Sequence, residues 1–423
     1  MHTVAVKDAG LPELFRERDR LTFGQASSEP ITLTRRIVDE AERLPDISVF
    51  LGNVSSGTFR PEVSPKISFE SYGAIGDVAA LVEADRVALF PMHYSALNVA
   101  IAQGLLRFDC VMLQVAPALS GRGFNLGLAR DYAVLAARHA RNVVLEVNPL
   151  VPRCHGGDLG DDFRFSVAVE AEEPPFEQTM TLPSETDQRI ASNVAGLIPD
   201  KAVLQIGIGS LPHAVMQALR GHKDLGFHSG VMTDSVLDLI EAGVLTNAAK
   251  EHDAGVSLAG LLTGTRRLFD FANNNLAFRL SGAEKTHDLG TIAALSRFCA
   301  VNSAVEVDLS GQVNSERAGG RYVGAVGGQV DFIRGANLSP GGRAIIALPA
   351  TARAGSISRI VSQVSTVTCA RSDVDAIVTE YGVAELRGAK LDERAARMIA
   401  IAAPQFREEL ERSWHETRKV ADD

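Results

Sequence analysis

Aromatic residues are scarce: they make up 6% of the 423 positions, with a single tryptophan. Val, Ile and Ala dominate the apolar runs instead, a composition that suits stacked α/β layers better than a β-sandwich. Cysteine is nearly absent. Cys110, Cys154, Cys299 and Cys369 stand far apart with no CxxC pair, which argues against a disulfide framework and reads as reduced thiols of a cytosolic protein. No stretch approaches the roughly 18 uninterrupted apolar residues of a membrane span. The first ten residues lack the basic start and apolar stretch of a signal peptide, so a cytoplasmic location away from membranes is expected. Positive charge is not in excess either: the formal net charge of −10 speaks against a nucleic-acid surface. No HExxH, Walker loop or GxSxG elbow occurs. His93, His213 and His228 show no metal spacing and read as packed or surface residues, so no metal is expected.

What is present points to two α/β layers. At 46% hydrophobic and 22% charged, a chain of this length is expected to form two or three domains. Strand-length apolar runs occur at 47–52, 86–91, 110–117 and 142–148, with helical patterns such as IGDVAALVEA between some of them. An early helix is predicted from SSEPITLTRRIVDEAERL, with Ser27 or Ser28 as cap and Pro30 in its first turn. Residues 168–187 are acidic, hold three prolines and have no apolar period. They read as a linker that ends at Ser184, the cap of a further helix. The second half repeats the pattern with runs at 201–209, 256–262, 343–350 and 375–382, and a charged final helix begins near Gln405. The expectation is an α/β protein of two similar, duplicated lobes, residues 1–180 and 181–423, with the active site in the cleft between them.

Two motifs carry chemistry. In QIGIGSLP (205–212) a strand runs into a glycine loop and then a helix, where open backbone amides suit a phosphate or carboxylate. The loop equally fits an ordinary tight strand-to-helix turn. The second, GQVNSERAGGRYVGAVGGQVDFIRGA (311–336), is too rich in glycine for a helix. Gly327 and Gly328 beside Gln329 form a plausible donor set for an oxyanion.

Taken in order, LQIGIGSLPHAV, KDLGFHSGVMTDSVLDLIEAGVLTN, AVNSAVEVDLSGQVNSE, VGGQVDFIRGA, IIALPATARAGSISRIV and VTEYGVAELRG resemble the acetyl-CoA hydrolase/transferase family, which includes 4-hydroxybutyrate-type CoA-transferases. LFPMHYS, VMLQVAP, GFNLGLA and VVLEVNPLVPR extend the likeness, more loosely, into the first half. The resemblance implies transfer of CoA from an acyl-CoA thioester to a small carboxylic acid of the 4-hydroxybutyrate, butyrate, acetate or itaconate type. It implies a glutamyl-CoA thioester intermediate, CoA as substrate with no permanently bound cofactor, and a homodimer or higher homo-oligomer. Residue by residue it places Gly207, Ile208, Gly209, Ser210 and Leu211 in the CoA-contacting loop. Gly327 falls at the oxyanion glycine with Gly328 and Gln329 beside it, and Arg353 stands where a lysine lies near the CoA phosphates.

One departure stands out. The family glutamate follows the KDLG stretch, and here that position is Gly230, which has no nucleophile to offer. Glu70, in PKISFESYGAIGD, is the proposed substitute, since the segment resembles a subfamily with a Phe-Glu pair at this place and an apolar pocket would desolvate the carboxylate. The plain alternative is a surface or strand-end glutamate. Glu146, Glu306, Glu380 and Glu385 read as structural. Two other functions fit the same residues: an acyl-CoA hydrolase, and a non-catalytic CoA-binding protein.

Overall fold

The computed structural model describes residues 3–119 and 121–422, with side chains placed as far as Glu416. Met1, His2 and Asp423, which the readings of the two chain ends included, lie outside these residues. The chain forms two compact units. Unit 1 is Met1–Thr179 with Ser229–Asp234 and Val256–His287, and unit 2 is Met180–His228, Ser235–Gly255 and Asp288–Asp423.

Seven parallel strands form the run of the unit 1 sheet, with the short Phe124–Asn125 strand antiparallel to the end of β5: β1 Arg20–Phe23, β2 Ile47–Leu51, β3 Ile67–Ser71, β4 Val87–Leu89, β5 Cys110–Pro117, β6 Asn142–Val147 and β7 Val167–Glu170. Their order is β4-β3-β2-β1-β5-β6-β7 and all neighbours are parallel. Unit 2 repeats this winding. Its strands are β8 Val203–Ile206, the start of β9 (Gly226–Met232), β12 Phe298–Ser303, β13 Arg343–Ala347, β14 Ala376–Thr379 and the antiparallel β15 Gly382–Glu385. The parallel order is β9-β8-β12-β13-β14, matching β2-β1-β5-β6-β7 of unit 1. The intervening β10 Ser257–Leu262 and β11 Phe278–Leu280 pair in parallel within unit 1. Parallel strands packed on both faces explain the near-continuous apolar runs, since no side of the sheet meets water. The buried clusters follow suit, with Leu21, Val49, Ile67 and Met112 in unit 1 and Phe298, Ile333, Ile346 and Ile377 in unit 2.

The local readings hold unevenly. The helix α3 (Glu185–Ala195) starts at Ser184 as expected, where the hydroxyl accepts from Asp187 N at 3.1 Å and the Asp187 carboxylate accepts from Ser184 N at 2.9 Å. The first predicted helix is shorter than its periodicity suggests and differently capped. It is α1, Ile31–Asp39; Ser27 and Ser28 lie in a preceding 3₁₀ turn, and no side chain at Pro30 caps it. The cap comes from far along the chain, because the Glu146 carboxylate on β6 accepts from Leu33 N at 3.0 Å.

That remote cap creates a buried acidic pair. Glu29 Oε1 accepts from Thr34 and Ser56 hydroxyls, each at 2.8 Å, and Gln114 Nε2 donates to the Glu29 carbonyl at 2.7 Å. Glu29 Oε2, Gln114 Oε1 and Glu146 Oε1 are buried with no hydrogen-bond partner among the described residues. Three acceptors with no donor call for a proton. Burial pushes Glu29 up to about 7, with Asp77 adding to the shift, and pushes Glu146 up to about 8, with Glu29 adding to it. Their ordinary value is 4.5, so the folded chain holds protons that the unfolded chain has released. The stabilisation is fully present below that value and is lost as pH rises toward 8, by on the order of 1 kcal/mol per pH unit and group. Urea unfolding at a series of pH values should therefore show stability declining from pH 5 to pH 8. Glu146→Gln, which can still accept from Leu33 N, should flatten that decline; an unchanged slope would show that Glu146 carries no proton.

Candidate functional site

In an open parallel sheet, ligands settle at the carboxyl ends of the strands where the winding reverses, because two successive loops leave in opposite directions there. Unit 1 reverses between β1 and β5, and unit 2 between β8 and β12. The two reversal points are chemically opposite.

In unit 1 the loop after β1 is sealed, with every residue from Leu21 to Thr34 buried. Gln25 takes up the local polar groups: its Nε2 donates to Tyr94 Oη at 2.7 Å, and its Oε1 accepts from Tyr72 Oη at 2.9 Å and from Asn53 N at 3.1 Å. Asp131 accepts from Gln25 N at 3.0 Å and caps α2 (Tyr132–His139). Burial raises the Asp131 carboxyl to about 6 and lifts the phenols of Tyr72, Tyr94 and Tyr132 above their usual range. Ser27 Oγ and Tyr132 Oη are buried there without a hydrogen-bond partner among the described residues, so what closes this loop to a ligand is its burial.

Unit 2 leaves the equivalent loop open. Gly207 to Ser210 are partly or fully exposed, and Ile208 presents an apolar side chain at 38% exposure. Gly209, with φ +114°, precedes the helix α4 (Ser210–Ala218), whose first amides have no side-chain cap. That backbone suits only glycine. Gly207 differs: its φ is unexceptional, and a Cβ built there meets nothing within 4 Å. The fold does not require glycine at 207, which leaves ligand approach as the reason for it. Leu211 turns its side chain into the core at 7% exposure, so only its backbone can serve a ligand. Gln205 and Asn302 brace the ends of β8 and β12 with paired amide hydrogen bonds of 3.3 and 3.0 Å.

The second glycine motif lies on the same edge of unit 2. The helix α5 (Gln329–Leu338) packs on β12 and β13 and connects them, so its first turn stands at the carboxyl ends of these parallel strands. Gly327 adopts φ +54° with open space where a Cβ would be, and Gly328 begins the helix without a side-chain cap. Gln329 is 8% exposed, and its Nε2 is a buried donor with no partner among the described residues. Such an orphan costs about 1–3 kcal/mol, which an oxyanion bound there would recover. Arg353 sits exposed at the tip of a hairpin (Thr351–Ala352 and Ile357–Ser358), in a run of three left-handed residues with Ala354 and Gly355.

Glu70 lies in unit 1, on β3, and its surroundings correct the apolar pocket expected for it. Arg20 of β1 pairs with the carboxylate: Nη2 donates to Oε1 at 2.9 Å, and Nε stands 2.8 Å from Oε2, which takes no hydrogen bond among the described residues. The Glu70 side chain is only 15% exposed. Gly230 lies on β9, and a Cβ at Gly260 of β10 would stand 2.9 Å from its carbonyl oxygen. The other glutamates hold structure. Glu306 accepts from Asn314, Glu380 accepts from Ala350 N, and Glu385 pairs with Arg343. His213 is packed between Ser235 and Gln217, each at 2.9 Å, and His228 is fully buried beside Phe298. Sequence reasoning missed Arg20, which carries no motif. It also missed the sealed loop, although FGQASSEP shares the strand–glycine–helix pattern of QIGIGSLP.

Known proteins match this arrangement along nearly the whole chain. The model of the acetyl-CoA hydrolase/transferase C-terminal domain matches residues 264–414. A 4-hydroxybutyrate coenzyme A transferase of Clostridium kluyveri is 36% identical over 400 residues, covering 92% of each chain. A butyryl-CoA:acetate CoA-transferase of Anaerostipes caccae is 34% identical, covering 76% of this chain and 74% of its own. The crystal structure of RipA from Yersinia pestis superposes with a TM-score of 0.90 at 31% identity, covering 96% of each. With loops open at the reversal of unit 2 and relatives matched across their length, the chain belongs to the acetyl-CoA hydrolase/transferase family, whose members include enzymes that transfer CoA.

Proposed function

We propose that the chain transfers CoA between an acyl-CoA thioester and a short-chain carboxylic acid of the 4-hydroxybutyrate, butyrate, acetate or itaconate type. The observation that carries this reading is the contrast between the two reversal points, one buried throughout and the other open to solvent with uncapped helix amides and an orphaned Gln329 donor. CoA is the substrate, and no resident cofactor is invoked. The loop 207–211 receives CoA through backbone amides, and the exposed Arg353 offers a cation to its phosphates. The Gly327 and Gly328 amides and Gln329 Nε2 stabilise the oxyanion that forms when a thioester carbonyl is attacked.

In the covalent route an enzyme carboxylate attacks that carbonyl, the C–S bond breaks, and CoA thiolate departs from an acyl-glutamyl anhydride. The thiolate then attacks the glutamyl carbonyl, releasing the first acid and leaving an enzyme thioester. The second acid reverses these steps and carries the CoA away. Each step exchanges one activated acyl bond for another, so no further reactant is needed. Glu70 is the carboxylate proposed here, and its attack requires release from Arg20. A hydrolase reading differs in one respect only: water, rather than the second acid, takes the enzyme thioester.

Butyryl-CoA incubated with the enzyme should lose CoA in proportion to added acetate, with acetyl-CoA appearing in equal amount. Release of free CoA that ignores acetate would establish the hydrolase. Gly207→Ala should fold normally and raise KM for acyl-CoA about tenfold with kcat largely kept, the pattern of lost uniform binding; an unchanged KM would remove the loop from the site. Glu70→Gln should abolish transfer by several orders of magnitude while still binding CoA. A variant that keeps a tenth of the wild-type rate would show that Glu70 is an ion-pair residue and not the nucleophile.

A further inference from the structure

Beyond the loops already described, unit 2 holds an arginine whose charge nothing in the fold uses. Arg359 directly follows the Arg353 hairpin. Its backbone is fixed at both ends, with Arg359 N donating to Ala350 O at 2.9 Å and Val307 N donating to Arg359 O at 2.9 Å. The guanidinium is half-buried, and among the described residues no hydrogen bond or ion pair reaches it. Burial works against its charge, and the one acidic group acting on it is Glu380. That carboxylate is held elsewhere, with Ala350 N donating to Glu380 Oε2 at 2.8 Å. Arg359 therefore keeps five N–H donors in a fixed fork, partly dehydrated and unmatched by protein. Other half-buried arginines here contrast with it. Arg20 grips Glu70, Arg86 donates to three backbone carbonyls, and Arg343 pairs with Glu385.

Its place in the fold says what it awaits. Ala350 and Glu380 come just after β13 and β14, at the carboxyl edge that also carries Gly207 and Gly327. β13 lies two strands from β8, about 10 Å at ordinary strand spacing. A planar guanidinium with free N–H groups suits a carboxylate, one oxygen of which it can hold while the other is left to attack. We propose that Arg359 binds the carboxylate of the acid that accepts CoA and so sets the enzyme's affinity for its acceptor. This rests on the CoA-transfer reading above and adds to it a residue specific to the second substrate. Glu380, fixed beside it, disfavours a second negative charge and so selects monocarboxylates over dicarboxylates.

The test measures steady-state transfer from butyryl-CoA to acetate, propionate and succinate. Arg359→Gln should raise KM for acetate and propionate tenfold or more, with KM for butyryl-CoA within twofold of wild type. Arg359→Lys should fall between, because it keeps the charge and loses the fork. Wild type should favour acetate over succinate, and Glu380→Gln should narrow that gap. An acceptor KM within twofold in Arg359→Gln, or a rise confined to KM for butyryl-CoA, overturns the proposal. Should the variants fail to fold, phenylglyoxal labelling of the wild type decides: acetate should protect Arg359, mapped by peptide mass, and labelling indifferent to acetate overturns the assignment. If the wild type itself transfers no CoA, the functional reading fails instead, and acetate protection then reports on Arg359 independently.

Discussion

A parallel strand order that reverses once in each unit is the constraint from which the chemistry follows. In unit 1 it sends the loops after β1 and β5 to one edge of the sheet, and in unit 2 the loops after β8 and β12 to the corresponding edge of its own strands, with the following helices starting there. Helix starts carry unpaired amides and a partial positive charge, so each reversal is a polar problem to be solved. Unit 1 answers it largely with its own side chains: Glu146 caps α1, Asp131 caps α2, and Gln25 binds the Tyr72 and Tyr94 hydroxyls. The solution has a cost, since it buries carboxyls that must hold protons near neutral pH. Unit 2 leaves its amides and Gln329 unsatisfied, forgoing about 1 kcal/mol per missing cap. Stability was taken in one unit, and binding capacity was kept in the other.

The ion pair of Arg20 and Glu70 bears on the proposal that Glu70 is the nucleophile. A nucleophilic carboxylate must present a free lone pair to a carbonyl, and here Oε1 is hydrogen-bonded to a guanidinium that also stands 2.8 Å from Oε2. Charge-assisted bonds of this kind are worth about 1.5–3 kcal/mol, so freeing Glu70 would slow attack by roughly 10- to 150-fold unless binding of substrate supplies the energy. Arg20 would then become the switch: acyl-CoA that draws the guanidinium away also releases the carboxylate. Gly230, where the resemblance leads one to expect a glutamate, lies in an extended strand.

Most strands were legible from apolar runs because burial on both faces writes them as unbroken hydrophobic stretches. Those at 110–117 and 142–148 fall almost to the residue. The central strand β1 was not legible: Arg20–Phe23 is four residues long and begins with the charge that holds Glu70. β9 and β12 were hidden for another reason, since GFHSGVM and FCAVNS mix glycine and polar residues with apolar ones. The glycine loops of the site were legible because they carry a local pattern. The cap of α1 could not be, because Glu146 lies 113 residues from Leu33. Arg359 was invisible for a related reason. What marks it is the absence of a partner, and a sequence does not list partners.

The glycines give the sharpest separation of fold from function. At Gly324 an added Cβ would stand 2.0 Å from Ser315 O, and at Gly76 it would stand 2.0 Å from Val54 O; packing alone demands glycine there. At Gly207 neither packing nor backbone conformation demands it, and at Gly327 only the backbone does. A glycine that packing leaves free gives up chain stiffness, and close approach of a ligand is one reason for it. The same logic covers Gln329 Nε2 and the Arg359 guanidinium, which are donors that the protein brings part-way out of water and then leaves unmatched. All four lie in unit 2 on the edge where β8, β12, β13 and β14 end. An anionic thioester substrate and a carboxylate acceptor are the partners proposed for them; the orphaned groups of unit 1, such as Ser27 Oγ and Tyr132 Oη, differ in lying under a loop that is buried throughout.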